Sequence, residues 1–138
     1  MSSKSQIQDK NMKSSLVFVY GTLRKGESNH HLLAGTNCVN ERAWINGTLY
    51  DTGQGYPALS LTPFGSVYGE VYEVDDKLIS KLDQLEGYQF GRERNLYERE
   101  MKKIMTNDGL VETYIYTVDH NPSLCIKRIE CGDWVNRS

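Results

Sequence analysis

The chain has 138 residues, with 16 basic and 18 acidic side chains, a net charge of −2 and a 38% hydrophobic content. A chain of that length is one domain that can bury roughly two-thirds of the surface its unfolded form exposes, so it needs neither disulfide nor metal to fold. The basic residues are scattered, which speaks against nucleic acid and a polybasic membrane patch, and no apolar run reaches membrane-spanning length.

Residues 1–14 are polar and poor in aromatics, and they read as a disordered extension ahead of a single domain at 15–138. The N-terminus lacks the apolar core of a secretory signal, and Ser2 stands where myristoylation requires a glycine. Cys38, Cys125 and Cys131 are odd in number and match no zinc spacing, which suits a cytoplasmic protein with incidental thiols.

From Leu16 the pattern becomes compact. Leu16 to Tyr20 reads as a buried strand that breaks at Tyr20-Gly21, and Ser28 is placed to cap a short helix carrying Leu32 and Leu33. "ERAWINGTLYDTG" holds Asn46-Gly47 between strand-like runs, predicting a hairpin or a bulge. "YPALSL" and "SVYGEVYEV" are further strands, and "LYEREMKKIMT" and "LVETYIYTV" flank Asn107-Asp108-Gly109 as the clearest hairpin. One solid helix among six or so strands favours an α+β or barrel-like fold over a βαβ sheet.

That helix is "VDDKLISKLDQLEGY", with Asp75 or Asp76 at its start and Gly87 where a left-handed C-terminal residue belongs. At about 100° per residue, Leu78, Ile79, Leu82 and Leu85 share one arc, and Glu86 falls inside it. Burial and the negative end of the helix dipole would both raise the pKa of a carboxyl there, giving a group able to exchange a proton near neutral pH. The alternative is that Glu86 turns outward to pair with Arg92 or Arg94. The stretch "GTLRKGES" leaves two readings as well, a plain strand-to-helix turn or a backbone cradle; it lacks the Gly-Lys-Ser/Thr ending of a phosphate-binding loop.

Taken together, "FVYGTLRKGESNHHLL", "GTLYDTGQGYPAL", "VYGEVYEVD", "LDQLEGY", "YERE" and a closing "CGDW" resemble the γ-glutamylcyclotransferase-like superfamily over nearly all of residues 16–134. The likeness is to its small bacterial members and the γ-glutamylamine cyclotransferases. It implies an α+β fold, a small mixed β-barrel with flanking helices. It implies that Tyr20, Gly21, Thr22 and Leu23 bind the γ-glutamyl group of a small-molecule substrate, and that Glu86 is the catalytic acid/base. The expected reaction is cyclisation of that group to 5-oxoproline with release of an amine, an acyl transfer by intramolecular aminolysis that needs no metal or organic cofactor. The rival expectation is a non-catalytic binding module for a small ligand on the same scaffold. His30, His31, Arg24, Tyr88, Tyr97 and Tyr116 are secondary candidates, each with a structural role as its alternative.

Overall fold

The computed structural model describes residues 14–92, 95–118 and 121–137; the expected N-terminal extension falls, Ser14 apart, outside the described residues. Five strands close a barrel in the order β1, β5, β2, β6, β7: β1 (Ser14–Val19), β2 (Asn37–Asn46), β5 (Ser66–Asp75), β6 (Glu98–Thr106) and β7 (Gly109–Thr117). The barrel is mixed, since β1 and β7 close it in parallel while the other pairs are antiparallel. A second sheet of β3 (Thr48–Asp51), β4 (Pro57–Ser60) and β8 (Lys127–Ile129) stands beside it in the order β4, β3, β8.

Two apolar clusters follow from strand alternation. Phe18, Val67, Val71, Ile104 and Ile115 belong to one with Trp134. Val17, Val19, Tyr72 and Val74 belong to the other, where they meet Ile79 and Leu82 of the helix α1 (Asp76–Leu85). β1 and β5 supply both, which is why "LVFV" reads as a continuous apolar run.

Most predicted elements are found, with three differences. Asn46-Gly47 is not a hairpin turn: β2 pairs with β5 and β6 in the barrel, and the chain then crosses to the second sheet, where β3 pairs with β4 and β8. The element after Gly26 is a 3-10 turn, His30–Leu33, and its N-cap is Asn29 rather than Ser28. β8 was not foreseen, because three residues of "KRI" carry no alternation to detect. Among the described residues no helix is long and apolar enough to cross a membrane.

Candidate active site

α1 delivers Glu86. Asp75 caps its N-terminus, accepting the Leu78 amide at 2.8 Å. At the other end Gly87 takes φ +67°, its N–H donating to Gln84 O at 3.2 Å, while Tyr88 N–H donates to Asp83 O at 2.8 Å. This paired closure is the Schellman arrangement, and it fixes the residue before the glycine, Glu86, as the C-cap. A side chain at Gly87 would also meet Leu96 Cβ at 2.7 Å.

Glu86 therefore leaves the helix on its apolar side and lines a cavity of about 200 Å³. Burial pushes its carboxyl up to about 7, and no hydrogen bond or opposite charge among the described residues offsets that burial. Arg92 does not reach it, its guanidinium being held by Asn95 Oδ1 at 2.7 Å and Gly87 O at 2.7 Å. Arg94, the other outward partner considered, lies outside the described residues. Tyr97 and Tyr116 flank the cavity, and burial raises both phenols well above their ordinary range, reinforced at Tyr97 by the Glu86 charge and at Tyr116 first by the hydrogen-bonded Asp83 carboxylate. Tyr97 donates to Pro57 O, and Tyr116 donates to Asp83 Oδ1 at 2.7 Å.

Tyr20, Gly21, Thr22 and Leu23 line the same cavity. Gly21 is required by close approach, because a Cβ there would lie 2.5 Å from Pro57 Cγ. Three of the loop's carbonyls are engaged: Gly21 O accepts the Arg24 amide at 3.0 Å, Thr22 O the Asn29 amide at 2.8 Å, and Leu23 O lies 2.9 Å from His30 Nδ1. A trans peptide sets its N–H opposite its C=O, so drawing the Gly21 and Thr22 carbonyls one way turns the Thr22 and Leu23 amides the other. Among the described residues nothing accepts the N–H of Gly21, Thr22 or Leu23. Such a run of unengaged amides is a concavity suited to an anion.

The secondary candidates separate cleanly. Arg24 is turned away from the cavity, bonding Glu70 at 2.8 Å and Asp133 at 2.6 Å. Glu70 also accepts the Lys25 amide at 3.0 Å and the Tyr72 hydroxyl at 2.9 Å. Trp134 Nε1 donates to Glu27 at 3.0 Å, so the closing "CGDW" braces residues 24–27 from behind. His30 serves Leu23 O, and His31 Nδ1 lies 3.1 Å from Ser28 O. Tyr88 packs under the Arg99 guanidinium, 5.1 Å from the ring centre, rather than on the cavity. Sequence reasoning missed Asn29, Tyr56, Pro57, Leu85 and Leu96 as cavity residues. Asn29, Tyr56, Pro57 and Leu85 all lie within the stretches that carry the family resemblance, whereas Leu96 lies just outside them.

A barrel with a cavity between a backbone loop and a carboxyl at a helix end defines a class, and the comparisons agree. Residues 17–136 match the family described as gamma-glutamyl cyclotransferase, AIG2-like, and the chain belongs to that family. It resembles the crystal structure of YkqA from Bacillus subtilis with a TM-score of 0.70 and 39% identity, over 88% of this chain and 40% of that one. The present chain thus spans well under half the length of that relative. A mouse AIG2-like protein superposes with a TM-score of 0.68 at 25% identity, covering 83% of this chain and 84% of the other. The gamma-L-glutamyl-butirosin B gamma-glutamyl cyclotransferase of Niallia circulans is 42% identical over 107 residues, 75% of this chain and 67% of that protein.

Proposed function

We propose that the protein is a γ-glutamyl cyclotransferase that closes the γ-glutamyl group of a small amide or amine conjugate into 5-oxoproline and releases the amine. The observation that carries this reading is the pairing of Glu86, a buried carboxyl without a partner among the described residues, with the unengaged amides of Gly21, Thr22 and Leu23 around one cavity. Its volume of about 200 Å³ suits a compact head group, being below the ~300–1,000 Å³ usual for drug-sized ligands. The Niallia circulans relative is named for gamma-L-glutamyl-butirosin B, which supports the same class here. A cytoplasmic location fits the cysteines, among which no disulfide forms.

The chemistry needs little from the protein. The substrate brings its own nucleophile, the α-amine, and holding it folded over the γ-carbonyl can be worth about 7–11 kcal/mol in favourable cases. Glu86 as carboxylate takes a proton from the attacking amine while the new C–N bond forms. The negative charge that develops on the γ-oxygen, or the α-carboxylate, is met by the loop amides. Glu86, now protonated, gives its proton to the leaving nitrogen as the old C–N bond breaks. A carboxyl raised to about 7 suits both halves of that exchange.

The test is a panel of γ-L-glutamyl amino acids and amines incubated with the full chain, with product identified by mass spectrometry. The expected product is 5-oxoproline from conjugates with a free α-amine and none from the same conjugates N-acetylated. Glutamate as direct product, or cleavage of the acetylated compounds, would indicate attack by water and sink the cyclisation reading. Binding without release of any product would favour the non-catalytic module.

A further inference from the structure

We propose that Asn29 is a positioning residue of this site, setting the Thr22 hydroxyl as a hydrogen-bond donor toward the cavity; the inference rests on the γ-glutamyl reading above. An asparagine at a helix N-cap ordinarily spends its side chain on the amides of the first turn. Asn29 occupies the N-cap of His30–Leu33 and makes no such bond. Its Nδ2 instead donates to Thr22 Oγ1 at 2.9 Å, while its backbone N–H donates to Thr22 O at 2.8 Å. One residue thus grips another at two points, seven positions away.

The direction of the side-chain bond has a consequence. An amide NH₂ only donates, so Thr22 Oγ1 is the acceptor and its own proton is left for a different partner. No acceptor for that proton is found among the described residues, and both Thr22 and Asn29 line the cavity. The backbone grip acts in the same sense, since holding Thr22 O on the Asn29 side turns the Leu23 N–H away from it. Thr22 Oγ1–H and the Leu23 amide then form adjacent donors, the pair that a carboxylate accepts with its two oxygens. Asn29 need not touch the ligand to matter, because its effect passes through Thr22.

The experiment uses the full chain with Thr22→Val, Thr22→Ser, Asn29→Ala and the double variant Thr22→Val/Asn29→Ala. Two quantities are read: the Kd for 5-oxo-L-proline by calorimetry, and KM and kcat for the γ-glutamyl compound of the panel that is turned over best. Thr22→Val should weaken Kd and KM by about tenfold, the loss of one hydrogen bond to a charged group, and Thr22→Ser should stay within about twofold of the wild type. Asn29→Ala should weaken both by about three- to tenfold, and the double variant should be no worse than Thr22→Val within about twofold, because contacts in one chain of action do not add. A merely structural Asn29 would multiply its loss onto Thr22→Val, and that result overturns the proposal. So does Asn29→Ala with unchanged Kd and KM. If Asn29→Ala does not fold, Asn29→Asp decides: it keeps the shape but can only accept, drawing the Thr22 proton back, so unchanged binding would overturn the proposal. A wild type that binds 5-oxo-L-proline but cleaves nothing refutes the cyclotransferase reading alone, and the Kd ratios still judge Asn29. A wild type that neither binds nor cleaves refutes both.

Discussion

Glu70, buried, and Glu86, half-buried at the cavity, are two glutamates in opposite circumstances. Glu70 is 7% exposed and fully engaged, holding the Arg24 guanidinium, the Lys25 amide and the Tyr72 hydroxyl. Glu86 has burial without a compensating bond or charge, and its carboxyl is pushed up to about 7. Around Glu70 the desolvation of the ions is matched: burial works against the Arg24 charge, but Glu70 and Asp133 outweigh it and raise its pKa. Burial likewise opposes the Asp133 charge, and bonds from Asn136 and Arg24 overcome it and hold that carboxyl below its ordinary value. A satisfied carboxylate is a structural tie. An unsatisfied one on a cavity costs stability, and on the proposed function it serves as the proton carrier.

The same substitution at the two sites should therefore give opposite results. Glu86→Gln keeps the shape and removes the proton exchange, so turnover on a verified γ-glutamyl substrate should fall by on the order of 10²–10⁴-fold. Its stability should change with the other sign. The folded carboxyl sits at about 7 against an ordinary value of 4.5, so the wild type is penalised wherever the unfolded chain ionises and the folded one resists. That penalty is absent below about pH 4, grows as pH rises from 4.5 to 7 and then levels off at about 3 kcal/mol. Denaturant titrations at pH 4.5 and pH 8 should show Glu86→Gln gaining on the wild type only at the higher pH. For the same reason kcat/KM of the wild type should rise with pH through about 7, as the base form appears. Full activity in a folded Glu86→Gln would break the comparison.

Glu70→Gln should do the reverse. It leaves Arg24 facing only Asp133 and removes a charge from a nearly dry network, a loss on the order of 3 kcal/mol in stability. Because Glu70 sits behind the loop and not on the cavity, kcat should stay within about tenfold of the wild type at a temperature where the variant is folded. A variant that unfolds no more easily but loses turnover would move Glu70 from tie to active-site group.

The two glutamates also differ in how far the sequence announced them. Glu86 was legible because a helix imposes a period: its angle within the Leu78, Ile79, Leu82, Leu85 stripe marks a carboxylate out of place, and Gly87 marks the helix end. The apolar run of β1 and the turn residues Asn107-Asp108-Gly109 likewise made a buried strand and the β6–β7 hairpin legible. Glu70 gave no such signal. It pairs with Arg24, 46 residues away in sequence, and Arg24 in turn with Asp133, 109 residues from it, and no local pattern encodes pairings at such distances. Asn29 gave none either, because the target of its side chain, Thr22, is set by how the loop folds back. The crossing at Gly47 was misjudged for a related reason: Asn-Gly specifies a local reversal, whereas the partners of β2 and β3 are chosen by tertiary packing.

The smallest expected effect tests whether Glu86 is held by its own end of the helix or by the helix as a whole. Asp75 caps the far end, its carboxylate accepting the Leu78 amide at 2.8 Å and facing the positive end of the helix dipole. Asp75→Ala removes that bond and should cost about 1 kcal/mol of stability. Glu86, by contrast, is placed by the Gly87 closure, by Tyr88 N–H on Asp83 O and by Arg99 Nη1 on Asp83 Oδ2 at 2.8 Å. These contacts lie at the C-terminal end of α1, away from Asp75. Fraying of the first turn should therefore lower the melting temperature while leaving kcat, KM and the pH midpoint near 7 unchanged within about twofold. A shift of that midpoint in Asp75→Ala would show that the surroundings of Glu86 depend on the helix along its full length.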